Sequence, residues 1–234
     1  MAAVDRYMAE GLVVLVPFQL PPAPPARLVP SVSAAKRRLL PLNDCMYRAL
    51  QQGHSAPASA WLGALTTSEI LVPVRDGTWM RLTARVAAAA AAGAPDALRV
   101  HSFWVPRLAQ RDLAHVAGGT RMLARTWRAA EPSNDSALER VLFNAASVVA
   151  ALPSRPLWCL ARDGGARACR SRRVAAHEAR VLRFDGACAR PAPDCRRLVR
   201  DDALAPWREA VAAHVGRVVD GLGGEGLLVP DGRN

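Results

Sequence analysis

The sequence predicts an α+β fold, with a helical N-terminal part and an antiparallel, β-rich C-terminal part. Three observations carry this expectation. Before Pro153, the residues Leu138, Val141, Leu142, Ala145, Val148 and Val149 recur at the spacing of one helix face. After Pro156, short apolar runs alternate with tight-turn dipeptides such as Gly164-Gly165 and Asp185-Gly186. Finally, 51% of the 234 residues are hydrophobic, enough to bury a core. Three regions follow: a strand and Pro-rich linker over 1–40, one α+β domain over 41–220, and a flexible Gly-rich tail over 221–234.

In chain order, residues 12–18 form an apolar run that reads as a buried strand. It leads into Pro21-Pro22-Ala23-Pro24-Pro25, a stiff extended spacer or a ligand for a proline-binding module. Lys36-Arg37-Arg38 is too short for an import signal or a phosphate patch. Residues 41–53 read as a short helix, capped by Asn43 or Asp44 and ended by Gly53. Residues 70–74 and 78–86 flank Asp76-Gly77 as the two arms of a hairpin, with Pro73 marking an edge strand. Residues 87–92 are alanine-rich and continue a helix to Gly93, and 98–105 form a further strand containing His101 and Trp104.

Helices are expected over 108–116 and 120–130, separated by Gly118-Gly119. Another is expected from the capping box Ser136-Ala137-Leu138-Glu139 through Val149. Residues 157–161, 166–174 and 179–184 then suggest a three-stranded antiparallel meander. Its arginines (Arg162, Arg167, Arg170, Arg172, Arg173, Arg180 and Arg183) partly alternate with apolar positions, as on a sheet with one wet face. Asp201 or Asp202 caps a last helix through Trp207, Val211, Val215 and Val218, stopped at Gly221.

The formal charge of +11 points toward nucleic acid, anionic membrane or acidic proteins. Lys36 is the only lysine, however, and alanine is abundant, a joint bias that GC-rich coding produces without selection for a basic face. The apolar run over 11–20 is broken by Pro17 and is too short to span a bilayer, and no secretory signal is read ahead of it. The expectation is a protein with no membrane association, intracellular (cytoplasmic or nuclear), whose five cysteines are reduced.

Cys45 is the candidate nucleophile. A cysteine in the first turn of a helix meets unpaired N–H groups and the positive end of the dipole, which favour thiolate. The alternative is a small buried core cysteine. A cysteine peptidase also needs an imidazole from elsewhere in the fold and a polar group to orient it. His177, opening the expected strand 177–184, fills the first role and Asp194 the second, with Asp185 as the nearer alternative and His101 as the alternative base. His54 reads as a loop residue, and His115 and His214 as half-buried helix positions. No cofactor is called for.

The segment Asn43-Asp44-Cys45-Met46-Tyr47-Arg48-Ala49-Leu50 resembles the nucleophile segment of viral papain-like leader and accessory proteases. There an Asn or Asp precedes the cysteine, a large apolar pair follows, and Ala and Leu sit on the buried helix face. Met46 stands where the family commonly has an aromatic. The resemblance implies a papain-like arrangement, a polypeptide substrate, and a Cys45 N–H within the oxyanion hole. It also implies self-processing, for which Gly223-Gly224 in the tail offers small residues.

Two other constellations compete with that reading. Zinc could take four of Cys159, Cys169, His177, Cys188 and Cys195, although the tight Cys-x2-Cys knuckle is missing. The meander arginines, with Trp158 and Phe184 nearby, could instead bind nucleic acid or an acidic protein without catalysis.

Overall fold

The computed structural model describes residues 5, 8–10, 41–45, 47–48, 61–89, 93–106, 122–123, 125–133, 139–152, 154–161, 164–184 and 197–221, the last four by backbone alone. It contains both helices and strands, as an α+β sequence should. The strand expected over 12–18, the Pro-rich stretch, Gly53, the helix over 108–116, Asp185, Cys188, Asp194, Cys195 and the tail lie outside the described residues. The chain divides into two compact units. One comprises 1–19, 107–127 and 200–234; the other comprises 20–106 and 128–199.

The larger unit is built on two sheets that share their long segments. β1 (Trp61–Gly63), β6 (Arg140–Asn144), β3 (Ala97–Val100) and β10 (Ser171–Val174) form the first, in the order β1-β6-β3-β10. β2 (Glu69–Val72), β11 (Arg180–Arg183) and β4 (Ser102–Trp104) form the second, in the order β2-β11-β4. β3 and β4 are one extended run interrupted at His101. β10 and β11 follow the same course beside it, parallel to β3 and then to β4. The His101 carbonyl accepts from Val181 N–H at 2.9 Å, which carries the pairing across the break.

The expected strands 70–74 and 98–105 are present, as β2 and as β3 with β4. Four other expectations are corrected. The arm expected over 78–86 is the helix α1 (Trp79–Ala88): Thr78 caps it by accepting from Arg81 N–H, and Leu82, Thr83 and Val86 bury its inner face. Gly77 sits at φ +70° in the turn before it. The helix expected to run through Val149 is instead, where it is described, β6, a turn over 145–147 and β7 (Val148–Leu152). Arg140, Val141, Leu142 and Phe143 are all buried because β6 is a central strand covered on both faces. A two-sided apolar run carries no period, so it mimics a helix stripe.

The meander is likewise replaced. β8 (Arg155–Leu160) pairs antiparallel with β7 and with the short β9 (Ala166–Arg167), while β10 and β11 leave for the other two sheets. Residues 127–129, expected to be helical, form β5 (Trp127–Ala129), which pairs with β12 (Leu198–Arg200).

Strand register sorts the core into two clusters. Ala97, Val141 and Phe143 project to one face of the first sheet, where they meet Leu42, Val148, Ala151 and Cys159. Leu98, Val100, Leu142 and Val174 project to the other, against Leu82 and Val86 of α1 and Val181 of β11. In the smaller unit, α2 (Ala205–Gly221) ends at the expected glycine. Asp201 accepts from Ala203 N–H in the turn that leads into it, and Arg208 Nε donates to the Leu123 carbonyl at 2.8 Å.

Candidate functional site

Cys45 is an exposed, free thiol, so it is not a core cysteine. The helix around it is already formed at Pro41, which puts Cys45 beyond the first turn. Asn43 is therefore not a cap. Its side-chain amide donates to the Ala151 carbonyl at 3.1 Å, and its carbonyl accepts from Ala151 N–H at 3.0 Å. This two-way clamp, with Leu42 in the core beneath, fixes the helical segment to β7.

His177 is exposed in the turn between β10 and β11. Its neighbour Glu178 points to Arg85 of α1, 2.6 Å from Nη1, on the sheet face opposite Leu42. Among the described residues neither the Cys45 nor the His177 side chain has a hydrogen-bond partner, and no hydrogen bond joins the two. His101 has a different setting. Its Nδ1 lies 3.7 Å from Glu139 Oε1, and Arg99, which shares its side of the run, also reaches Glu139. That side carries Val141 and Leu42 in the core. His214 stands half-buried on α2, as expected, 3.9 Å from a Glu10 oxygen.

Of the arginines expected on a wet sheet face, Arg183 is buried against Glu69, whereas Arg167, Arg170 and Arg173 reach carboxylates with side chains 30%, 49% and 56% exposed. Arg140 grips Glu69 with Nε at 2.8 Å and Nη2 at 2.6 Å, and Arg183 adds Nε at 3.3 Å. Arg85 holds Asp76 through two nitrogens, each at 2.9 Å. Arg167 holds Asp96 in the same way, and Arg173 pairs with Glu139. Burial opposes the charge on Glu69, yet hydrogen bonds from Arg140 and Thr66 N–H outweigh it and hold the carboxyl below its usual range. Glu178 follows the same balance through Arg85 and Ala175 N–H. Arg183 also stacks on Trp104, and Arg128 on Phe103.

The expectation of reduced thiols is corrected for one pair. Cys159 and Cys169 form a disulfide with Cα atoms 5.2 Å apart. β8 and β9 bring them together: Cys159 sits opposite Arg167, two residues before Cys169. These sulfurs are spent, so the zinc set loses two of its ligands. Among the described residues no group of three metal-binding side chains converges, and no helix is long and apolar enough to cross a membrane.

Sequence reasoning missed a cavity of about 530 Å³ in the larger unit. It opens where two edge strands, β1 and β2, meet α1. Trp61 and Trp79 form its walls, with Leu65 and Met80 at the rim and Leu142 at its base. Met80 is 82% exposed, an unusual setting for a large thioether. Glu69 also lines the cavity, but its carboxylate is committed to Arg140 and Arg183. The signal was present as Trp61 and the pair Trp79-Met80. Reading residues 78–86 as a strand put that pair on opposite faces, whereas on α1 both line the cavity. The lining is mostly apolar, with Glu69 and Thr83 as its charged and hydroxyl members, and the mouth is open. Compared with known proteins, the chain matches no family's sequence profile and no curated protein.

Proposed function

We propose that this chain is a non-enzymatic binding protein that takes an acidic, amphipathic polypeptide segment of a partner into the groove between β1, β2 and α1. The observation that carries the reading is the groove itself, with two tryptophans and an outward-facing Met80. Methionine and aromatic side chains adapt to varied apolar anchors and are enriched at protein interfaces. Charge complementarity selects the partner: Arg75 in the turn before α1 and Arg81 on α1 are exposed, and the chain carries +11 overall. Selection of displayed random peptides on the protein tests this. Sequences combining aromatic or aliphatic anchors with Asp or Glu should emerge, and Met80→Glu should abolish their binding. An enriched set without acidic residues, or one that binds Met80→Glu equally well, would overturn the reading.

A cysteine peptidase, viral and self-processing, with a helical N-terminal part in a papain-like arrangement, is the second reading. The observation favouring it is the exposed thiol of Cys45, on a helical segment clamped to β7 through Asn43. In that reading Cys45 attacks the peptide carbonyl, and an imidazole takes and returns the proton. His101 with Glu139 supplies a base and its orienting carboxylate; the pair first expected from sequence is His177 with Asp194. Peptide hydrolysis lost in Cys45→Ala and in His101→Gln supports it, and hydrolysis indifferent to Cys45→Ala ends it. A cytoplasmic or nuclear location belongs to this reading. The Cys159–Cys169 bond suits an oxidising compartment better.

A further inference from the structure

Arg99 and Arg173 are register partners on the parallel strands β3 and β10. Their side chains leave the same face from backbones about 5 Å apart. Guanidinium is a cationic group, and like charges directly opposite on neighbouring strands repel. Glu139 sits between them: Arg99 Nε donates to Oε2 at 2.8 Å, and Arg173 Nη2 lies 3.1 Å from Oε1. His101 Nδ1 approaches the same Oε1 at 3.7 Å. One carboxylate thus answers two permanent cations.

The surplus faces water here. Over Glu69 the side chains of Arg140 and Arg183 are only 11% and 9% exposed, whereas those of Arg99 and Arg173 are 34% and 56% exposed. Arg99 Nη1 and Arg173 Nε and Nη1 donate to no acceptor among the described residues. Glu139 fixes Arg99 through two hydrogen bonds and tethers Arg173 through one ion pair, which lowers the side-chain entropy that a ligand must remove.

We propose that Arg99 and Arg173, oriented by Glu139, form a subsite for the tetrahedral oxyanion of a phosphate group. The free N–H groups of two neighbouring guanidiniums suit an oxygen-rich anion, and one added negative charge balances the cluster. Free phosphate and the phosphodiester of a nucleic-acid strand offer the same chemistry. This inference stands apart from the groove.

Calorimetric titration at constant ionic strength, with chloride as the balancing anion, tests it on the full chain. The probes are inorganic phosphate and a short single-stranded DNA. Arg173→Gln, at an exposed position, should weaken whichever probe binds by roughly tenfold. Arg155→Gln, an exposed arginine on β8, should leave binding unchanged. Phosphate binding that depends on Arg173 assigns the free anion as ligand. DNA binding with that dependence, and no response to phosphate, assigns the strand. The proposal falls if neither probe binds, if Arg173→Gln binds like the parent, or if Arg155→Gln loses as much as Arg173→Gln.

Discussion

Asp96 and Arg167 meet fork to fork, with Nη1 and Nη2 each 2.7 Å from one carboxylate oxygen. Asp96 also accepts from Arg170 N–H at 2.7 Å, and its own carbonyl accepts from Asn144 N–H at 2.8 Å. One side chain, 2% exposed, therefore ties the start of β3 to the segment joining β9 and β10. Burial would raise its pKa, but the bonds from Arg167, Arg170 N–H and Ser147 hold it below the usual range.

Asp96→Asn keeps the shape but removes the charge that two arginines surround. Breaking a buried pair from one side leaves the other side uncompensated, and the expected loss is about 3 kcal/mol of unfolding free energy. Asp202→Asn, which breaks the exposed pair with Arg200, should cost less than about 0.5 kcal/mol. Urea denaturation of both variants decides it. Equal effects would mean that burial of Asp96 contributes nothing.

The depressed carboxylates dictate an acid limb. Asp96, Glu69 and Glu178 are held below their ordinary values of 3.8 and 4.5, so the unfolded chain binds protons more readily than the folded one. Their stabilisation is complete above those values and is lost as the pH falls through the lower, folded values. The urea midpoint should be flat from about pH 7 to about pH 5 and drop below about pH 4. A midpoint unchanged down to about pH 3 contradicts the ion-pair account.

Removing the Cys159–Cys169 bond by replacing both residues with Ala should cost about 2–3 kcal/mol, because the bridge closes a short loop and Cys159 is fully buried. Reductant should destabilise the parent and leave the double variant unaffected. Alkylation of the unreduced, unfolded chain should fail to modify these two cysteines; their full modification would show that the bond does not form.

Gly63 controls the groove. A Cβ there would stand 2.8 Å from Leu142 Cδ2, so Gly63→Ala forces Leu142 out of its position at the base. A loss of about 1 kcal/mol in stability is expected, together with weakened binding of selected peptides. Unchanged peptide affinity would show that the base of the groove is not part of the binding surface.

Cys45 is exposed, so Cys45→Ala should shift the thermal midpoint by less than about 1 °C. In the folded protein Cys45 should also be alkylated well ahead of the disulfide-bonded pair. A large drop in the midpoint would mean that the thiol packs in a way its exposure does not suggest.

Sequence alone determined what local chemistry determines. β2, the run through β3 and β4, and α2 ending at Gly221 were legible, because alternation, β-branching and a stop glycine act within one segment. The site residues were legible only as types: Cys45 was recognisably distinct, but its exposure and its place beyond the first helical turn depend on Asn43 being drawn to Ala151. β6 was unreadable because burial on both faces erases period. The meander arginines looked solvent-facing because their carboxylate partners lie far off in the chain: Asp96 is 71 positions from Arg167. Which edge strands border a groove, which cysteines bond and which two arginines share a carboxylate were decided by the tertiary structure. Each depends on a pairing between distant segments, and strand pairing is set by the burial that the whole fold achieves rather than by either strand's own sequence.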